Sequence, residues 1–252
     1  MYEGIVAILL APIIGSFLGV LIQRLPEDRP VVAARSACEH CGRALGPLDL
    51  VPIVSYLALG GKCRSCGQTI DRFHLQVELA ALVPAIWAAS LDDGMRLWAD
   101  CVLGWTLLAL SWIDWRHMIL PDVLTLPLVL AGLGAAALLD PDHLVDHAIG
   151  AAVGFLLFTA IAWAYRRARG RDGLGEGDAK LLAAAGAWVS WSGIAEIMLI
   201  AALTGLVIAL GYRLAGRRID GQTPIQFGPC LAFGTWVVWL YGPILFGLGT
   251  DG

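Results

Sequence analysis

The sequence has few charged residues: 15% of its 252 residues are Asp, Glu, Lys or Arg, whereas 58% are hydrophobic. Soluble domains carry about a quarter charged residues and about half apolar ones, so the composition excludes an ordinary soluble protein. The chain also lacks a basic tail or basic stripe of the kind that binds nucleic acid. We therefore expect an integral membrane protein whose surroundings are the lipid bilayer, with no nucleic-acid partner.

The first apolar run, Gly4–Gln23, lacks two features of a cleaved signal peptide. No positively charged region precedes it, and no pattern of small residues for cleavage follows it. We expect this run to be retained as a helix, with removal as a signal peptide as the alternative.

Eight apolar runs are candidates for crossing a membrane, which takes about 20 helical residues for about 30 Å of hydrocarbon. They cover residues 4–23, 73–91, 97–114, 121–139, 144–165, 178–190, 193–214 and 228–248. The expected fold is an all-α integral membrane protein of about eight transmembrane helices. Its expected parts are a first helix (1–23), a separate loop (24–72) and a helical membrane core (73–252).

The basic residues support this count because they gather in alternate loops. With the N-terminus outside, all of the seventeen Lys and Arg residues except Arg96 fall on the cytoplasmic side. They occupy the loop 24–72, the turn at Arg116, and residues 166–180 and 213–218. A wrong number of spans would scatter them over both sides.

Two C-x-x-C pairs lie in the long loop, Cys38 with Cys41 and Cys63 with Cys66, with 21 residues between the pairs. This spacing is typical of a structural zinc site, and four thiolates complete a tetrahedral Zn²⁺ without an open position for catalysis. Such a loop has little apolar core, so metal binding can supply its folding energy. Two disulfides are the alternative, which a reducing cytoplasm disfavours. We expect a small zinc-ribbon-like loop in the cytoplasm.

Three aspartates stand where predicted spans reach the cytoplasmic side. Asp114 ends the third span, Asp122 begins the fourth, and Asp178 begins the sixth after two glycines, Gly175 and Gly177. Ionisable residues at a membrane are costly and usually functional. N-capping of a helix or pairing with a nearby Arg is the structural alternative; capping is favoured for Asp122, whereas for Asp178 it is plausible but the motif context decides against it. Asp114 is more informative, because a carboxylate at a helix C-terminal end opposes the helix dipole.

Two carboxyl groups held close together cannot both ionise readily, so one keeps its proton while the other acts as a base. Such a pair can deprotonate a water that attacks a peptide carbonyl and can protonate the carbonyl oxygen. The glycines before Asp178 would let backbone or substrate approach closely because they lack side chains. The residues alone thus place candidate carboxylates for this chemistry at one membrane depth.

These motifs together resemble the type IV prepilin peptidases, the GxGD-type membrane aspartic proteases of type IV pilus and type II secretion systems. The resemblance covers nearly the whole chain. It rests on the cysteine pairs and on six further segments: 15–18 and 24–26 in and after the first span, 77–79, 113–122, 175–182 and 227–229.

The resemblance implies that Asp114 and Asp178 are the two catalytic aspartates. It implies four supporting residues around them: Gly175, Gly177, Asp122 and Lys180. The implied reaction is cleavage of prepilins and pseudopilins after a glycine, on the cytoplasmic side of the bacterial inner membrane. Many members then methylate the new N-terminus with S-adenosylmethionine, and members with the cysteine loop tend to have both activities. Which pilin is cut, where S-adenosylmethionine binds and the oligomeric state are not readable from the sequence.

Three positions depart from the pattern of this family. Gly19 stands where many relatives have Asn, His74 where Pro is common, and Arg116 where many have a second aspartate. None of these is a catalytic position, so they bear on substrate preference and methyl transfer more than on proteolysis. Glu78 has three open roles: the methylation site, binding of the cysteine loop, or an ion pair with a loop arginine.

Several other functions fit part of the pattern. A peptidase without methyltransferase activity is the nearest of them. A transporter whose aspartates relay protons is another, although these aspartates lie near the cytoplasmic edge of the membrane. An assembly scaffold that docks through the zinc loop would leave the aspartate motifs unexplained. A presenilin-like protease also has the GxGD motif, but the cysteine loop and the Leu-Pro-Asp sequence after Asp114 favour the prepilin enzymes.

Overall fold

A computed structural model describes residues 2–31, 36–170, 175–216 and 226–243. These residues form α-helices and short 3-10 helices, with two isolated β-bridges and no named strand among them. The α-helices are α1 (Tyr2–Arg24), α2 (Val54–Ala58), α3 (Arg72–Ala80), α4 (Leu82–Ala89), α5 (Gly94–His117), α6 (Asp122–Leu139), α7 (Leu144–Arg169), α8 (Glu176–Val189), α9 (Ile194–Leu214) and α10 (Gly228–Tyr241). The prediction of an all-α membrane protein is confirmed.

Five helices of the described residues are long and apolar enough to cross a membrane: Tyr2–Glu27, Gly94–His117, Asp122–Leu139, Pro141–Arg169 and Ile194–Leu214. The predicted count of eight is not confirmed. Helices α8 and α10 have 14 residues each, which is about 21 Å at about 1.5 Å per residue. Residues 244–248 of the last predicted span lie outside the described residues, as do four basic residues of the predicted cytoplasmic loops: Arg35, Arg171, Arg217 and Arg218.

The predicted second span, 73–91, is divided into α3 and α4 by a turn at Ala81. Pro84 has no N–H to donate to the carbonyl of Ala80, and its ring disfavours a continuous helix at that point. The indole N–H of Trp105 donates to the carbonyl of Ala81, at 2.9 Å. The break therefore has a local cause in the proline and a tertiary partner in α5.

The chain divides into two compact units, Met1–Ala109 and Leu110–Gly252, with the boundary inside α5. In the first unit α1 packs against α3 and α4. A Cβ atom at Gly15 would lie 2.7 Å from the Cα atom of Glu78, so only glycine allows α1 and α3 to approach this closely. The cysteine loop belongs to the same unit.

In the second unit α8 packs against α6, α7 and α10. Glycines bring α7 and α8 into backbone contact: a Cβ atom at Gly186 would lie 2.1 Å from the carbonyl oxygen of Gly150, and one at Gly154 would lie 2.4 Å from that of Leu182. Small residues at helix interfaces permit this close packing in membranes. All residues of α8 from Ala179 to Trp188 except Lys180 are buried.

Two polar contacts fix the rotation of α8 about its axis. The indole N–H of Trp188 donates to the carbonyl of Leu128 on α6, at 2.9 Å. On the other side, Nδ1 of His147 on α7 donates to the carbonyl of Ala187, also at 2.9 Å. Because α8 is held from both sides, the direction of Asp178 in its first turn is set by the packing of the unit.

Candidate active site

Asp114 lies in the last turn of α5, and its side chain is 7% exposed. Its Oδ2 atom accepts a hydrogen bond from the backbone N–H of Gly228, at 3.1 Å. Gly228 is the first residue of α10, so the carboxylate lies at the positive end of that helix. This contact offsets the unfavourable position of Asp114 at the C-terminal end of its own helix.

Gly228 is required by this close approach. A Cβ atom there would lie 2.7 Å from Oδ2 of Asp114 and 3.0 Å from Cγ. The preceding residue, Phe227, takes the N-cap position but makes no side-chain cap. The Asp114 carboxylate therefore accepts a hydrogen bond from one of the N–H groups that have no partner within α10. The Phe-Gly-Pro motif at 227–229 was part of the sequence resemblance, but no role for Gly228 was predicted from it.

Asp178 is the third residue of α8 and is partly buried. The N-cap of this helix is Gly175, to whose carbonyl the backbone N–H of Asp178 donates at 3.2 Å. The alternative that Asp178 is an N-cap is therefore wrong.

The charges of Asp114 and Asp178 interact, and the buried thiol of Cys230 in α10 lies within electrostatic range of both. The structure thus places the two predicted aspartates within electrostatic range of each other in the second unit.

The two glycines before Asp178 differ in their surroundings. A Cβ atom at Gly177 would lie 2.8 Å from Cβ of Leu120, in the connection between α5 and α6. A Cβ atom at Gly175 would meet Oδ2 of Asp178 at 3.5 Å, an ordinary contact, and Gly175 has an ordinary extended backbone. Close packing thus explains Gly177, and nothing in the structure explains Gly175.

The structure places Asp122 in an ion pair. Its Oδ1 atom accepts from Nζ of Lys180 at 2.6 Å, and both side chains are partly exposed. The expectation that Asp122 caps α6 is wrong, because Pro121 is the N-cap and no side-chain cap is present. The ion pair instead connects the start of α6 with the start of α8. Its α8 partner, Lys180, is two residues after Asp178.

The four predicted metal ligands converge in the first unit. The Sγ atoms of Cys38, Cys41, Cys63 and Cys66 all lie within 4.8 Å of one another, and the cysteines are free. Sulfur atoms around a tetrahedral zinc at about 2.3 Å are separated by about 3.8 Å, which compares with 3.9 Å between Cys38 and Cys66. The donor set and its spacing fit a metal ion.

Each cysteine pair forms the same tight turn. The N–H of Gly42 donates to Cys38 and that of Gly67 to Cys63, both at 2.9 Å, and both glycines have a left-handed backbone. Backbone N–H groups of Cys66 and Ser65 lower the pKa of the Cys63 thiol to about 6. This favours the thiolate form that binds a metal.

Glu78 contacts the cysteine loop, which was one of its three predicted roles. It is buried in α3, and its Oε2 atom accepts from the backbone N–H of Ile53 at 2.7 Å. Ile53 has φ +62° and ψ −54°, and the N–H of Val54 bonds to the carbonyl of Pro52, which is a strained γ-turn. The carboxylate therefore satisfies the N–H group at the apex of this turn.

Two of the departures from the family pattern lie in contact with one another. A Cβ atom at Gly19 would lie 3.4 Å from Nδ1 of His74, which faces it from α3. An asparagine at position 19 would crowd this imidazole, so the absence of a side chain at Gly19 leaves room for His74.

Comparison with known proteins gives two family matches. The type IV leader peptidase family matches residues 101–210, which include both aspartates. The bacterial peptidase A24 N-terminal domain matches residues 9–91, which include the four cysteines. No solved structure matches the chain.

Several curated relatives carry the name prepilin leader peptidase/N-methyltransferase. The protein of Pseudomonas aeruginosa is 38% identical over 264 residues, covering 93% of this chain and 89% of that protein. That of Aeromonas salmonicida is 36% identical, covering 91% and 87%, and that of Dichelobacter nodosus is 35% identical, covering 91% and 88%. The chain therefore belongs to the type IV leader peptidase family.

Proposed function

We propose that this chain is a membrane aspartic endopeptidase that removes the leader peptides of type IV prepilins and pseudopilins and then N-methylates the new terminus. The observation that carries the proposal is that Asp114 and Asp178 lie close enough for their charges to interact, within a chain of this family. The relatives named above are bifunctional by name, and this chain matches them over both family regions.

The contacts of the two aspartates support different roles for them. Asp114 is buried, which disfavours its charge, but the N–H bond that it accepts at the start of α10 favours its ionised form. Asp178 is partly buried and has the negative charge of Asp114 as a neighbour, and both effects favour its protonated form. Asp114 then takes a proton from the attacking water, and Asp178 donates its proton to the carbonyl oxygen of the scissile peptide bond.

The substrate arrives as a hydrophobic helix, whose carbonyl groups are already hydrogen-bonded. It must unwind at the cleavage site before water can attack. A glycine at that site makes unwinding easier because glycine has a poor helix propensity. This accounts for cleavage after a glycine at the edge of the membrane helix.

The membrane location is that of a bacterial inner-membrane protein, with the aspartates facing the cytoplasm. This orientation is supported by the alternation of basic residues along the chain. The four cysteines hold a structural Zn²⁺, since four thiolates fill a tetrahedral site and leave no position for a substrate.

When bound, S-adenosylmethionine would supply the methyl group for N-methylation of the new terminus, the second activity that the names of the relatives carry.

The test is mass spectrometry of a prepilin co-expressed with the wild-type chain or with Asp114→Asn or Asp178→Asn. We expect a loss of leader mass and a gain of one methyl mass with the wild type, and the intact prepilin with either variant. Asp142→Asn, a change of the same kind at an exposed position, is the control and should cleave normally. Cleavage by both Asn variants in folded, membrane-inserted protein would refute the assignment.

A further inference from the structure

A cluster of metal-ligating side chains lies at the far end of α6 from the aspartate site. Its members are Asp140, His143 and His147, which follow one another where α6 ends and α7 begins. Asp122 stands at the other end of α6, beside the start of α8. The 18 residues of α6 extend about 27 Å at about 1.5 Å per residue. The proteolytic mechanism proposed above uses none of the three side chains of this cluster.

A short 3-10 helix brings the three side chains together. Residues Pro141–His143 turn the chain between α6 and α7, so the carboxylate of Asp140 lies beside both imidazoles. Its Oδ1 atom is 2.8 Å from Nδ1 of His143, and its Oδ2 atom is 3.9 Å from Nε2 of His147. The two histidines are four residues apart, a spacing at which side chains meet on one face of a helix.

The tautomer of His147 leaves an acceptor atom beside this carboxylate. His147 is buried, and its Nδ1 atom is 2.9 Å from the carbonyl oxygen of Ala187, which can only accept a hydrogen bond. Nδ1 therefore carries the proton of the neutral ring, and Nε2 is an acceptor. The partner of Nε2, Oδ2 of Asp140, is an acceptor as well. Two acceptors at this distance are brought into a favourable arrangement by a positive charge between them.

The contact with Ala187 is also the second contact that metal-binding histidines usually make. Such histidines donate their other ring N–H to a carbonyl or carboxylate, which fixes the orientation of the ring. Nitrogen and oxygen ligands at about 2.0–2.2 Å from a metal lie about 2.8–4.4 Å from one another, for bond angles of about 90–180°. Both separations in the cluster, 2.8 Å and 3.9 Å, fall within this range.

We propose that Asp140, His143 and His147 bind one divalent transition-metal ion of the class of Zn²⁺ and Ni²⁺. Imidazole ligands suit these ions, whereas Mg²⁺ and Ca²⁺ prefer oxygen ligands alone. The ion takes the place of the proton between His143 and Asp140, which is released to water. It connects the end of α6 with the start of α7 and, through His147, with the end of α8.

This site shares no residue with the four cysteines, and it holds its ion less tightly. It has three protein ligands instead of four thiolates, and the side chains of Asp140 and His143 are about half exposed. Water therefore completes the coordination and exchanges readily. The protein as purified retains the ion of the cysteine site, and the cluster is loaded when metal is added.

The test is equilibrium dialysis of radiolabelled Zn²⁺ against the purified full-length protein in detergent, made without a histidine tag. His147→Asn keeps an amide N–H near the position of Nδ1 for the contact with Ala187 and removes Nε2. Asp140→Asn removes the charge of the carboxylate, and His143→Gln changes the exposed ligand. Asp142→Asn is the matched control, because it removes an exposed carboxylate of the same turn that lies outside the cluster.

We expect the wild type to bind one more ion per chain than each of the three cluster variants. Because this count is a difference, it does not depend on whether the cysteines hold zinc. Affinity at the cluster should fall at least about 100-fold in His147→Asn and Asp140→Asn, since loss of a second-shell partner alone costs about 10–100-fold. The control should bind within about fivefold of the wild type, as expected for an exposed charge.

The melting temperature provides a second measurement and reports whether each variant is folded. Added Zn²⁺ or Ni²⁺ should raise the melting temperature of the wild type and of Asp142→Asn, because binding to the folded state stabilises it. It should leave that of the cluster variants unchanged. Equal binding by the wild type and the folded cluster variants would overturn the inference, and so would an equal loss in the control. A cluster that holds only a proton would bind no additional ion, which would overturn it as well.

Discussion

Gly228→Ala is the substitution that examines most directly how the aspartate site is built. The new methyl group would start 2.7 Å from Oδ2 and 3.2 Å from Cβ of Asp114, whereas ordinary contacts begin near 3.4 Å. Relief of this clash requires the carboxylate and the start of α10 to move apart by several tenths of an ångström. The hydrogen bond from the Gly228 N–H to Asp114, now 3.1 Å, would be stretched or lost.

The cost can be worked from these contacts. Overpacking a tight site costs about 1–3 kcal/mol, and a hydrogen bond to a charged group contributes about 1.5–3 kcal/mol. A loss of about 1.5–3 kcal/mol of transition-state stabilisation corresponds to a rate roughly 10- to 150-fold lower. We therefore expect Gly228→Ala to fold with a lower melting temperature and to cleave prepilin about 100-fold more slowly.

Gly134→Ala is the matched control for this experiment. Gly134 is also a helical glycine of the second unit, and a Cβ atom there meets nothing within 4 Å. Alanine is favoured over glycine in a helix by about 1 kcal/mol, so this variant should be at least as stable as the wild type and fully active. The assay is the initial rate of leader removal from a purified prepilin in detergent. Equal rates for Gly228→Ala and Gly134→Ala would refute the role given to the Gly228–Asp114 contact.

Three further predictions concern the surroundings of the two sites. Gly177→Ala should slow cleavage and lower the melting temperature, because the new Cβ atom would lie 2.8 Å from Leu120. Gly175→Ala should keep its cleavage rate within a few-fold of the wild type. An equal loss of activity in both variants would contradict the packing explanation. Lys180→Met should change the unfolding free energy by no more than about 1 kcal/mol, as expected for a partly exposed ion pair, and a larger loss in a denaturant titration would show that the pair has another role. Treatment with a chelator should release about one zinc per chain, measured by atomic emission, and should make the cysteine loop sensitive to an added protease. Cleavage of prepilin should persist. Complete loss of prepilin cleavage in an otherwise folded protein would show that the two sites are not separable.

Much of the fold follows from the sequence because long apolar runs specify membrane helices locally. The spans at α1, α5, α6, α7 and α9 were all predicted within a few residues. The failures have tertiary causes. Pro84 and the Trp105 indole divide α3 from α4. Helix α8 has only 14 residues, and the part from Leu181 to Trp188 is buried against α6, α7 and α10.

The aspartates and cysteines were predictable because their motifs are local and carry recognisable chemistry. Their partners were not, because those contacts join distant parts of the chain. The Lys180 ammonium donates to Asp122, which is 58 residues away. Asp122 was predicted to cap α6, but it forms this ion pair instead. The hydrogen bond between Glu78 and Ile53 joins residues 25 positions apart. It depends on a strained turn with a positive φ at Ile53, a conformation that β-branched residues disfavour.

The position of Asp114 shows why local reasoning stops short of the complete site. A carboxylate in the last turn of α5 opposes the dipole of its own helix, which would ordinarily disfavour its charge. The structure compensates with the N-terminus of α10, whose first N–H group lies 114 residues further along the chain. The family match that contains both aspartates ends at residue 210, before α10 begins. The proposed catalytic unit therefore extends beyond that match, because the helix whose N–H group binds Asp114 is as much a part of the site as the two helices that carry the aspartates.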